Sequence, residues 1–277
     1  MAYQVQVPLA GIAGWRYLER THEAQKAVFE TDTIMQREIA YFEENIGSVT
    51  SAADLVADRR LLEFALTAYG LEDDAYKKAL VRTILEGGTE DEEALANRIT
   101  VSGYKEMAED FGFGNSSGSQ TATDGFAAKI VAAYKEQRFE TAVGDQNEHL
   151  GLAMTLKRKI GELSEGEGKS WYTVLGDKDL RQIFEGAFGL PSAFVNIDID
   201  QQARMIEKKA DQMFGGSSLT VFQDETNIDK LILRYLARKQ VEEGWVNPGS
   251  PAASALTLLQ NRDGNGSYGI MNLIYGA

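Results

Sequence analysis

DRRLLEFALTAYGL, residues 58–71, returns as DKDLRQIFEGAFGL at residues 177–190. With a shift of 119, Asp58/Asp177, Leu61/Leu180, Ala68/Ala187, Gly70/Gly189 and Leu71/Leu190 are identical, while Phe64/Ile183 and Tyr69/Phe188 keep their chemical type. The pattern is that of a helix with both ends marked. Asp58 and Asp177 read as N-caps, because a carboxylate accepts from first-turn amides that have no partner inside the helix. Gly70 and Gly189 suit the left-handed position after a helix, with the next Leu packing back on the last turn. Pro191 stops the second copy.

Outward from this unit the likeness continues in order. Phe29-Glu30-Thr31 recurs as Phe139-Glu140-Thr141 with a shift of 110, and Gln36 and Glu38 recur as Gln146 and Glu148. Tyr104, Met107, Ala108 and Phe111 share one helix face, and Ile228, Leu231, Ile232 and Tyr235 repeat that face with a shift of 124. A drifting shift places insertions in the loops of a second copy. The expectation is an all-α fold of about ten helices built from two copies of one helical unit. The organisation reads as an N-terminal arm 1–14, repeat one 15–114, a Gly/Ser linker 115–125, repeat two 126–240 and a C-terminal tail 241–277. A helix is expected to start near Trp15, and Thr89-Glu90-Asp91-Glu92 reads as a capping box opening another. Strand alternation is scarce; the one candidate is Leu219–Phe222.

The chain has 277 residues, 43% of them hydrophobic and 25% charged, as in globular proteins, with a formal net charge of −14 and a pI near 4.7. Such an acidic chain lacks the clustered Lys and Arg that release counterions from nucleic acid, so no nucleic-acid partner is expected. With no cysteine, thiol catalysis, disulfides and Cys-ligated metal centres are excluded. The N-terminus MAYQVQVPLAGIAGW has neither the basic start nor the apolar core of a secretory signal, and no stretch approaches the ~20 apolar residues of a membrane span. The expected location is cytoplasmic, with export lacking a cleaved signal as the alternative.

Nothing in the pattern supplies a catalytic constellation. Glu43-Glu44, Glu72-Asp73-Asp74, Glu92-Glu93 and Glu242-Glu243 are sequence neighbours, which point in different directions on a helix rather than across a cleft. His22 and His149, the two histidines, do not fall at matching places in the two copies. Gly112-Phe-Gly-Asn-Ser-Ser-Gly118 lacks the Lys-Ser/Thr ending of a phosphate loop. Asn261, Asp263, Asn265 and Gly266 imitate the first half of a calcium loop, yet Asn272 stands where a bidentate acid is required. No catalytic, cofactor or metal residue is therefore assigned. The apolar end, with Ile270, Met271, Leu273, Ile274 and Tyr275, is the candidate partner-binding segment.

Ala52-Ala-Asp-Leu-Val-Ala-Asp58 leading to Ala68-Tyr-Gly-Leu71 is one signature of a known family. Ala96-Asn-Arg98 with Phe111-Gly-Phe-Gly114, Arg138-Phe-Glu-Thr-Ala-Val-Gly144, and Asp179-Leu-Arg181 leading to Gly189-Leu-Pro191 complete the set. Over residues 10–240 the chain resembles the bacterial family catalogued as domain of unknown function 1217. The resemblance implies a mainly helical alphaproteobacterial protein, often encoded among flagellar genes, with no established reaction to carry over. Two functions follow as expectations. One is a non-enzymatic structural or assembly-assisting protein associated with the flagellum, whose expected partner is a protein, with a flagellar component as the candidate. The other is an enzyme or small-ligand binder with an acidic site between the two repeats.

Overall fold

The computed structural model describes residues 3–99, 101–165 and 170–243. Among them are thirteen α-helices and no strand. In chain order these are α1 (Gly11–Phe29), α2 (Thr33–Asn45), α3 (Ala52–Ala57), α4 (Arg59–Ala68), α5 (Lys78–Gly87), α6 (Leu95–Arg98) and α7 (Ser102–Phe111). Then follow α8 (Phe126–Gln146), α9 (Glu148–Glu165), α10 (Trp171–Gly176), α11 (Lys178–Phe188), α12 (Ile199–Phe214) and α13 (Glu225–Glu242). Short 3-10 turns lie at Ile46–Ser48, Glu72–Asp74, Ser192–Asn196 and Leu219–Gln223.

The two marked helices form as their ends dictate. Asp58 accepts from the amides of Arg60 and Leu61 at 2.9 and 3.1 Å, and Asp177 from those of Asp179 and Leu180 at 3.0 and 3.1 Å. Each cap is worth about 1 kcal/mol. At the other end Leu71 N–H donates to the Leu66 carbonyl and Gly70 N–H to that of Thr67. Leu190 and Gly189 do the same to Glu185 and Gly186, closing the same double turn on a glycine with φ of +68° in one case and +63° in the other. Even the free oxygen of each cap is used alike, since Tyr41 on α2 donates to Asp58 and Lys159 on α9 to Asp177.

The halves differ beyond that unit. Phe29 is the last residue of α1, whereas Phe139 lies in the middle of α8. α13 packs on α11 as α8 packs on α4, but α7, the sequence counterpart of α13, lies on α5 and α6. The halves also share one core. Phe64 of α4 stacks between Phe42 of α2 at 4.3 Å and Tyr134 of α8 at 3.9 Å, and α1 crosses onto α9 and α13. Burying a ring of that size stabilises by about 1.5–3 kcal/mol, so this stack binds the halves firmly.

Four local expectations are corrected. Leu219–Phe222 is a 3-10 turn, and its three-residue period puts buried Leu219 and Phe222 on one side, against a ring cluster that includes Phe184 and Phe214. No capping box forms at 89–92: Thr89 N–H donates to Asn115, Glu90 accepts from Ser116, and helix resumes only at Leu95. α1 begins at Gly11, ahead of Trp15, and the arm before it lies back along the helix. There the Gln25 amide accepts from Gln6 N–H at 2.6 Å and donates to Gln6 O at 3.1 Å, pinning the arm with Val5 buried. Lastly, the 115–125 stretch is a packed crossing rather than a free linker. Gln120 N–H donates to Phe111 O, buried Thr121 donates to Val49 O at 2.6 Å, and Gly114 rests directly on the backbone of Gly88.

Candidate binding groove between α1, α8, α9 and α13

A cavity of about 400 Å³ opens where α1 crosses α8 and α9. Its apolar wall is Trp15, Leu18 and Met154; its polar rim is carried by successive turns of the same helices. On α1, His22 lies 3.0 Å from Glu23 through Nδ1 and 3.8 Å from Glu136 of α8 through Nε2. Lys26, one turn on, also pairs with Glu136. Contact with His22, and then with Lys26, holds the Glu136 carboxyl down to about 2, although its partial burial acts the other way. Reciprocally, Glu136 and then Glu23 raise the His22 imidazole above its ordinary value against the effect of burial.

Below this, Glu140 has a side chain only 3% exposed, and Arg158 grips it with two hydrogen bonds of 2.7 and 2.9 Å. Thr155 donates a third at 3.1 Å. A fork of this kind matches carboxylate geometry and compensates for the lost water. Glu19 takes Arg16 at 2.8 Å and, more loosely, Lys157 at 3.7 Å. Lys157 stands 6.0 Å above the Trp15 ring. A second cavity of about 580 Å³ adjoins across that Lys157–Glu19 pair, lined by Gly161 and Ser164 of α9, Phe222, and Glu225 and Asp229 of α13.

The residues singled out in the sequence are placed apart. His22 lines the first cavity, while His149 bridges Tyr235 Oη at 2.8 Å and Glu243 at 2.9 Å, tying α9 to α13. Glu43, Glu44, Glu92 and Glu93 are exposed, and Asp74 accepts from Tyr104 and Lys77. None of the adjacent acids faces a second across the groove. Among the described residues no group of three or more acidic or histidine side chains is set to hold a metal, and no helix is long and apolar enough to cross a membrane. Ile270, Met271, Leu273, Ile274 and Tyr275, and the calcium-loop imitation at 261–272, lie outside the described residues.

Sequence reasoning missed Glu136, Glu140 and Arg158 as a site. Lys157, Arg158 and Lys159 are adjacent in the sequence, yet they reach three different helices: Glu19 on α1, Glu140 on α8 and the Asp177 cap of α11. The usable signal was the step of about 100° per residue along α9, which fans three adjacent cations around the helix.

The family model described as Protein of unknown function (DUF1217) matches residues 68–228, more than half of the chain, so the protein belongs to that family. The chain is also similar to the crystal structure of protein AGR_C_984 from Agrobacterium tumefaciens, with 28% identity and a TM-score of 0.72 over 89% of this chain and 100% of that one. No curated protein matches it.

Proposed function

We propose that the protein is a non-enzymatic helical component that builds, or assists the assembly of, the bacterial flagellum through contact with a protein partner. The observation that carries this reading is the state of the groove's carboxylates. Glu136, Glu140 and Glu19 each already hold a cation, and the depressed Glu136 is ionised at neutral pH, which suits an ion-paired binding wall and not a proton donor. The flagellar setting rests on the family resemblance drawn from the sequence. The protein acts from the cytoplasm, with export lacking a cleaved signal as the route if it joins the structure itself. Deleting the gene in a motile host should reduce swimming or flagellar number; normal motility with normal filaments would overturn the proposal.

A second reading, a small-ligand or catalytic site between the two halves, is favoured by one observation: the 400 Å³ cavity lies where α1 of the first half meets α8 and α9 of the second. Saturable binding of a small metabolite that is lost in Glu136→Gln would support it, and a metabolite screen showing no thermal shift would count against it.

A further inference from the structure

The two adjoining cavities share a charge pattern along their length. Glu23, with its side chain 94% exposed, stands at the outer end of the first, and exposed Glu225 belongs to the second. Between them is a single loosely held cation, Lys157, 53% exposed and 3.7 Å from Glu19. Arg158 is turned onto Glu140, His22 lies between Glu23 and Glu136 at 3.0 and 3.8 Å, and Arg16 bridges Glu19 and Asp229 at 2.8 and 3.6 Å. The floor is apolar at both ends, from Trp15, Leu18 and Met154 to Phe222 and Ile228. In its middle Gly161 leaves the α9 backbone bare, since a Cβ built there meets nothing within 4 Å. From Met154 to Ser164 α9 advances about 15 Å, the length of a short peptide segment and more than a compact metabolite needs.

We propose that this groove takes a short amphipathic segment of a partner protein, with apolar side chains over the two apolar ends of the floor and a basic residue beyond each, its cations over Glu23 and Glu225. Charge complementarity selects the occupant: an acidic rim on an acidic chain repels acidic segments and accelerates encounter with basic ones. Lys157 is the one groove cation that opposes such a segment, and its loose pairing lets it swing aside. The proposal rests on the reading of the protein as a binding rather than a catalytic component.

The probe is a capped peptide of about twelve residues with Leu or Phe on each side of its middle and Lys or Arg at both ends, compared with the same peptide carrying Glu at its ends. Titration calorimetry with the full chain should show the basic peptide binding and the acidic one not, with affinity falling as salt rises. Glu23→Lys with Glu225→Lys should weaken binding about tenfold, and Lys157→Gln should tighten it about threefold. Gly161→Leu should abolish binding by filling the floor while leaving the melting temperature no lower, which separates blockage from misfolding. Equal affinity for both peptides, or Gly161→Leu and the charge reversals leaving affinity unchanged, would overturn the proposal. If that happens while gene deletion still impairs swimming, the groove assignment fails and the flagellar reading stands.

Discussion

Gly144 and Gly151 bring α8 and α9 into backbone contact: a Cβ on Gly151 would stand 2.6 Å from the Gly144 Cα and 2.9 Å from its nitrogen. In an open helix, replacing Gly by Ala stabilises by about 1 kcal/mol. At Gly151 the sign should reverse, because the new methyl meets main chain that cannot rotate away, and a loss of about 1–3 kcal/mol is expected. Gly161→Ala, on the same helix with open space beside it, should gain stability. Urea unfolding of both variants checks this; the same sign at both positions would refute the close approach.

Arg158 is expected to matter more for stability than a surface cation. Arg158→Ala strands the buried Glu140 carboxylate with only Thr155 for company, at a cost of about 3 kcal/mol. Arg158→Ala combined with Glu140→Met should recover most of that loss, since no uncompensated charge is left. A double-mutant cycle by chemical denaturation gives the coupling directly.

The His22–Glu136 contact predicts a stability dome in pH. Glu136 is depressed in the fold, so its contribution is present above the unfolded carboxyl value and is lost as pH falls toward about 2. His22 is raised, so its contribution is full below the unfolded imidazole value and is lost as pH rises through the folded one. Glu136→Gln should flatten both flanks, because it removes the depressed acid and the chief cause of the histidine shift. Melting temperatures from pH 2 to 9 test this, and flanks of unchanged steepness in the variant would contradict it.

Gln25 should govern the N-terminal arm. Its buried amide binds both polar groups of Gln6 and receives the Tyr3 hydroxyl, so Gln25→Leu leaves those groups unmatched. The arm amides are expected to exchange hydrogen markedly faster, with a global loss of about 1–2 kcal/mol. Hydrogen-exchange mass spectrometry resolves the arm from α1; unchanged protection would show that apolar packing of Val5 alone fixes it.

Helix ends were readable because their chemistry is local. The bonds that Asp58, Gly70, Asp177 and Gly189 direct lie within a few residues, so type and spacing suffice. Where a distant competitor intervened, the same reasoning failed: Thr89 and Glu92 had the right spacing for a capping box, but the Thr89 N–H goes to Asn115 and Glu90 binds Ser116, both brought in by the crossing that follows α7. Leu219–Phe222 was too short for its apolar period to separate two residues from three. The groove was the least legible part. Glu140 and Arg158 meet only because α8 and α9 fold back at Asn147, and Glu19 joins them only because α1 crosses from the other half of the chain.

The crossing at 112–125 bears on how the chain can be divided. It is fastened at Val49 and Gly88, while Ser116 and Ser117 stand at the surface. Cleaving the peptide bond between those serines would break the covalent thread without parting the halves, because α4 remains seated on α8 and α1 on α9 and α13. The resulting fragments are two parts of one fold that need each other to exclude water, so a gene split at this point encodes a complementing pair and not two portable modules.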